Sequence, residues 1–507
     1  MLSTSVIGLI IAVFVLIFLV LRTRVHVLIA MLAAACIAGL IGGLSVNETM
    51  SAISQGFGGT LSGIGIVIGL GVMMGAILET SGAGESIAYH FIKWLGKRKE
   101  ELALAITGYI VSIPVFVDSA LIILYPIAKS LAKTSQRSIL TLTVALAGGL
   151  VVAHHCIPPT PGPLGVASIF GVDIASMLGF GLLIALPSVA GIVMYARWLE
   201  KHFPEYATPV TLAKAPEEQK KVHADYMASK SEKALPSLTK SIMPIVVPIL
   251  LILANSLTQL AEKQLGLTGF STSFLGQAIQ FLGHPIIALS ISTLLAVYTL
   301  TPYLDKAETT AKLEQGISTS GIILLVTGAG GALGNVLRES GAGAEIANQV
   351  ASLPISPIMI PFIIATLVRV IQGSGTVSMI TAASISAPVL AEIQDVNMLF
   401  AASAATMGSL FAGYFNDSLF HIVNRLMGVT EVRKQLVIWT IPTTLAWAIG
   451  GTLIMTLNLI FGTAGSIYDP LLPLVILGWC LYFMSSQSRS MSQSLTKINH
   501  SYPFPFL

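Results

Sequence analysis

The sequence predicts an all-α polytopic membrane protein, built from two inverted repeats that meet at broken transmembrane helices. Three observations carry that prediction. First, charged residues make up only 10% of the 507-residue chain, hydrophobic residues make up 54%, and the mean hydropathy is +0.83. A soluble domain carries about 25% charged residues. Second, uncharged windows recur, among them Ser5 to Leu21, Val27 to Val46, Gly59 to Leu78 and Ile174 to Ala196. Each is long enough to cross ~30 Å of hydrocarbon as a helix. Third, Val67 to Ala88 reappears as Val326 to Ala347, with 11 of 22 positions identical at an offset of 259. Aromatic residues are few, at 7%, and no strand pattern shows, which argues against a β-barrel.

The elements follow in order. Residues 1–24 form an N-terminal helix; Arg22 and Arg24 follow its apolar stretch rather than precede it, so it reads as a retained span and not a signal peptide. Basic residues in short loops mark the cytoplasmic side. By that rule helix one ends in the cytoplasm. The helix from Val27 runs outward to a loop holding Glu48 and no Lys or Arg. The helix from Leu61 returns to Lys93, Lys97, Arg98 and Lys99, and repeat 1 (25–198) closes near Arg197 and Lys201. A polar cytoplasmic linker (199–240) follows, then a connecting helix and external loop (241–283). This odd crossing starts repeat 2 (284–460) on the opposite side of the membrane. Its first helix runs inward to Asp305 and Lys306, and its last starts beside Arg433 and Lys434 and runs outward. Residues 461–507 form a C-terminal helix and tail. Cys36, Cys156 and Cys480 all sit in apolar runs, so no disulfide framework is expected.

Four interruptions carry the chemistry. Around "IVSIPVFVDSALIILYPIA", Pro114 and Pro126 each remove a backbone donor, and Asp118 stands among apolar neighbours. A carboxylate at mid-bilayer costs about 3 kcal/mol on insertion scales, so it is a functional suspect; the alternative is a structural ion pair. In "HHCIPPTPGP" the prolines break the helix beside His154 and His155. Free peptide groups are tolerated there only if they face protein or a polar cavity. A histidine in such a cavity can relay protons or bind an anion; otherwise it is a hydrogen-bonded core residue. In "RVIQGSGTVS", Gly373 and Gly375 open the chain and Ser374 and Thr376 bring hydroxyls to a helix start that suits an anion. Arg369 either clamps a substrate carboxylate or neutralises Asp118 or Asp417. In "GYFNDSLF", Asn416, Asp417 and Ser418 interrupt the matching position of repeat 2. The two Ser-Gly-Ala-Gly turns read as structural, with Glu79, Arg338 and Glu339 near interfaces. No Cys/His/carboxylate cluster calls for a metal, and no cofactor is expected.

At these four interruptions the chain resembles the gluconate permease family. The runs "GFGGTLSGIGIVIGLGVMMGAILETSGAGESIA", "PVFVD", "HHCIPPTPGP", "GSGTVSMITAASI" and "FND" occur in the family's order over about residues 5–460. The resemblance implies proton-coupled symport of a sugar acid or related hydroxy-acid across the bacterial inner membrane. It also implies re-entrant hairpins beside the broken helices. Asp118, His154, Gly373 to Thr376 and Asn416-Asp417 fall on the family's motif positions. His155 and Thr160 depart from it, standing where a Gly and a second His are usual, and Ser418 begins a third departure. The expected substrate contacts are thus His154, His155, Thr160, Arg369, Gly373, Ser374, Gly375, Thr376, Asn416 and Ser418. The coupling proton is assigned to Asp118, His154 or Asp417. The expected partners are a small anion, a proton and the lipid bilayer, with no nucleic acid; a homodimer is left open. A sodium-coupled carrier, a cation/proton antiporter, a channel and a membrane enzyme using His154, His155 and Asp417 are the rival readings.

Overall fold

The computed structural model describes residues 3–23, 25–95, 99–135, 137–202, 235–265, 272–303, 305–345, 355–414, 416–462 and 466–480. Among these residues the chain is helical throughout, with no strand. Most of the polar linker and of the C-terminal tail lies outside them. Among the described residues, six helices are long and apolar enough to cross a membrane, or seven if one bent pair is a single span.

The first half holds α1 (Thr4–Arg22), α2 (Val27–Ile41), α3 (Val46–Thr80), α4 (Ala83–Leu95), α5 (Glu100–Val111), α6 (Val117–Ser135), α7 (Ile139–Cys156), α8 (Pro161–Ile169) and α9 (Ile174–His202). After α10 (Leu238–Leu265) and α11 (Phe274–Leu282) come α12 (Pro285–Leu300), α13 (Lys306–Glu339), α14 (Met359–Gln372), α15 (Gly375–Leu390), α16 (Met398–Gly408) and α17 (Ser418–Leu426). A short turn (Val432–Gln435) and a π-helical segment (Leu436–Thr440) lead into α18 (Ile441–Phe461), and α19 (Leu471–Cys480) follows. The element starts echo one another. Residues 27, 46, 100, 117, 139, 161 and 174 open elements in the first half; 285, 306, 359, 375, 398, 418 and 432 open them in the second. Every pair is 257 to 260 residues apart, around the offset of the sequence repeat.

Two expectations about elements change. Pro126 lies inside continuous α6, so only Pro114 falls in a break. A helix tolerates an interior proline where neighbours re-satisfy the freed carbonyl. The stretch expected as an external loop before residue 284 contains α11, an apolar helix turned by 67° from α12.

Small residues let the long helices approach closely. α3 and α13 pack along each other, and a β-carbon at Gly56 or Gly331 would strike Gly331 O or Thr60 Oγ1 of the facing helix. The main apolar core joins both halves, from Val67 and Leu121 to Phe362 and Trp447. A smaller cluster ties α1 and α2 to α13 through Ala30, Met31 and Leu333. At the base of α5, Glu101 is buried and paired with Arg137 at 2.9 Å and Arg197 at 2.7 Å. That cluster holds α5 to α9 and to the link between α6 and α7.

Candidate functional site

Four helix breaks converge. Ser112 to Phe116 joins α5 to α6, and Gly373 and Ser374 form the tip between α14 and α15. α7 stops at Cys156 because Pro158 and Pro159 follow, and α8 restarts with Pro161 at its first position. α16 and α17 are separated by the Asn416-Asp417 break. Between these ends lies a cavity of about 520 Å³. That is within the 300 to 1,000 Å³ usual for small-molecule sites, quoted roughly.

Eleven of the twelve expected site residues line it: Asp118, His154, His155, Arg369, Gly373, Ser374, Gly375, Thr376, Asn416, Asp417 and Ser418. Thr160 does not. It is buried, and its hydroxyl donates to Ile157 O at 2.6 Å, tying the break between α7 and α8. Its hydroxyl is thus committed inside the break and not to this cavity. Phe116, Ser119 and Gln372 line the cavity and were not anticipated. Phe116 is the residue two before Asp118, so its place followed from the hairpin tip. Ser119 also lines a smaller cavity of about 90 Å³ with Glu79, Lys312 and Gln315. Glu79 therefore faces polar space beside the site.

Two glycines are required by close approach. Gly373 caps α14 with φ of +80°, a left-handed conformation that L side chains rarely adopt. A β-carbon there would also strike the backbone of Asn416, and one at Gly375 would strike His155 Nε2. The hairpin tip is thus seated against the α16–α17 break and against the end of α7.

The charges are arranged in two sets. Arg369 Nη2 donates to Asp417 Oδ2 at 2.9 Å, with Arg369 only 3% exposed. Arg369 is thus paired with Asp417, while its Nε is buried without a partner. Asp118 has no arginine on it; the Ser418 hydroxyl donates to its Oδ2 at 2.6 Å. Asn416 is partly committed, its Nδ2 donating to Val370 O at 3.1 Å.

The histidines are held differently. His155 Nδ1 lies 2.8 Å from Val151 O. A carbonyl only accepts, so Nδ1 carries the proton, and in the neutral ring Nε2 is an acceptor. His155 Nε2 and His154 Nδ1 are both buried without partners. Buried polar atoms left unpaired cost about 1–3 kcal/mol each, and these two, with Arg369 Nε, belong to residues that line the cavity. α15 adds its first amides, which no intrahelical carbonyl can satisfy; Ser374 Oγ serves only Val377 N, at 3.4 Å. The lining thus combines a guanidinium, two imidazoles, two carboxylates and the start of a helix.

Comparison with known proteins identifies the family. The family described as GntP family permease matches residues 4–460. An uncharacterized permease of Haemophilus influenzae is 60% identical over 97% of this chain and 99% of its own length. A gluconate permease of Pseudomonas aeruginosa is 30% identical over 88% and 95%. The D-serine transporter DsdX of Escherichia coli is 30% identical over 83% and 91%. In fold, the chain resembles MtrF of Neisseria gonorrhoeae, of a class of antimetabolite efflux pumps, with a TM-score of 0.59 at 15% identity, covering 89% of this chain and 99% of that one. The chain belongs to the GntP permease family: it is a multi-pass membrane transporter.

Proposed function

We propose that this chain is a secondary active transporter that takes up a small hydroxycarboxylate of the gluconate type together with protons across the bacterial inner membrane. The observation that carries the reading is one cavity lined by Asp118, His154, His155 and Arg369 beside the open start of α15, with an unpaired buried nitrogen on each histidine and on the arginine. The substrate carboxylate is received by Arg369 Nε and the first amides of α15. A neighbouring hydroxyl donates to His155 Nε2. D-serine shares the carboxylate and hydroxyl, and its relative DsdX makes it the second substrate class to try.

Charge supplies the coupling. Arg369 and Asp417 cancel, which leaves Asp118 as the uncompensated carboxylate on the cavity. A substrate anion about 7 Å from an ionised Asp118 would be repelled by ~2 kcal/mol at an effective dielectric near 20. Protonation removes that penalty, and the neutral carboxyl keeps its hydrogen bond with Ser418. The anion and the proton therefore enter the cavity together, with Asp118 as the carrier.

The repeated helix pattern supports alternating access. Residues 25–198 and 284–460 are the two repeats, inverted across the membrane, and the α5–α6 and α14–α15 hairpins are re-entrant from opposite faces. The placement of Lys and Arg supports this sidedness. Residues 1–24 precede the repeats, 199–240 link them on the cytoplasmic side with 241–283 crossing back, and 461–507 trail them.

The test is binding of D-gluconate and D-serine to purified protein by calorimetry from pH 5.5 to 8.5, in sodium and in choline buffer. The protonated site is the one that binds, so affinity falls as pH rises, by up to about tenfold per unit above the Asp118 pKa. The choice of cation leaves it unchanged. Affinity that is flat with pH but lost without sodium would replace the proton by sodium; binding of neither compound would remove the substrate class.

A further inference from the structure

A second cavity, of about 440 Å³, lies at the far ends of α8 and α15. It shares no lining residue with the first. Gly375 opens α15 on the first cavity and Pro388 lines the second, 13 helical steps later. At 1.5 Å per residue that is ~20 Å. The interval is packed by small residues in tight contact. A β-carbon at Gly165 of α8 would lie 2.9 Å from Thr327 Cγ2 and 3.3 Å from Ile380 Cγ1; one at Gly330 would lie 2.9 Å from Ile380 Cγ2.

The second cavity has one charge among its described lining residues, Arg338, with Gln55, Thr60, Ser168 and Asn335 as its polar neighbours. None of the lining residues is acidic. The guanidinium is oriented rather than loose: Arg338 Nη2 donates to Asn335 Oδ1, and buried Asn335 donates to Ala52 O of α3 at 3.0 Å. Guanidinium has five N–H groups in a rigid fork that matches a carboxylate. A cleft of one sign with low-dielectric walls concentrates ions of the other sign. The link between α2 and α3 and the first turns of α3, which hold Glu48, carry no basic residue, which puts this end on the extracytoplasmic side by the positive-inside rule.

We propose that this cavity is the extracytoplasmic antechamber of the transporter, in which Arg338 collects a small carboxylate before α8 and α15 part from α13 and admit it to the Asp118 cavity. The proposal rests on the transport reading above and adds to it a second, outward anion site with a named residue.

Ser168→Cys places a thiol on the cavity wall for the test, with unsubstituted protein as background. Intact cells are treated from outside with two membrane-impermeant methanethiosulfonates, the anionic sulfonatoethyl and the cationic trimethylammonioethyl reagent. Both should react from outside. Arg338→Gln should lower the anionic-to-cationic rate ratio by about threefold to tenfold, the size expected of one unit charge several ångströms away in a partly screened cleft. Arg338→Lys should keep most of the ratio, and it serves as the folded control if the glutamine variant expresses poorly. No labelling from outside overturns the proposal, as does a ratio that ignores Arg338. The ratio does not depend on transport: a protein that carries neither D-gluconate nor D-serine, yet shows it, would fail the uptake reading and leave the anion site standing.

Discussion

Gly375 and His155 are joined by an absence of atoms. The glycine leaves the room that His155 Nε2 occupies, and the same nitrogen is buried without a partner. Gly375→Ala is therefore expected to abolish substrate binding, by at least about tenfold, while the protein still folds, because alanine is favoured over glycine in a helix by about 1 kcal/mol. Calorimetry with D-gluconate together with a melting curve checks both halves of the statement. Thr160→Val should do the opposite. It loses the hydroxyl bond to Ile157 O, worth about 1 kcal/mol of stability, and leaves affinity within about twofold. Gly375 lines the cavity and Thr160 does not, and the difference shows what the sequence could carry. A buried acid, paired histidines and hydroxyls at glycine breaks are legible because burying them without purpose is costly. The Arg369–Asp417 pair, the commitment of Thr160 and the presence of Gln372 are set by which atoms meet in space, and one-dimensional order does not carry that.

Proline and glycine placed the elements well but not alone. Pro158, Pro159 and Gly373 end helices where the sequence indicates; Pro126, Pro187 and Pro388 do not, since α6, α9 and α15 run through them. The difference lies in neighbours. Consecutive prolines remove donors faster than packing can compensate, whereas one proline in a packed helix leaves a single carbonyl to satisfy. Packing also fills the interval between the two cavities. α8 meets α13 and α15 at Gly165, beside Thr327 and Ile380. Gly165→Val should wedge that contact, lowering counterflow of D-gluconate in proteoliposomes by at least about tenfold with insertion into the membrane preserved; overpacking of this kind typically costs 1–3 kcal/mol, roughly stated. Wild-type counterflow would show that the contact does not move during transport.

For the whole molecule, the repeat was visible in the sequence as an offset of 259 and returns as two series of element starts at nearly the same spacing. The core joins both series, so neither half is an independent domain. Each series delivers two broken ends to a shared cavity, which is why residues as distant as Asp118 and Ser418 can bond. The bend at α11 and the smaller core around α1 and α2 had no matching signal, because apolar composition identifies a helix and not its direction. The central claim is that one cavity takes an anion and a proton together, the proton on Asp118. Its most direct test is uphill uptake of D-gluconate into proteoliposomes driven by an imposed pH gradient, with Asp118→Asn beside the wild type. The wild type should accumulate substrate; the variant, which has no carboxyl to titrate, should exchange it downhill without accumulating it. Accumulation by Asp118→Asn to the wild-type level would contradict the account.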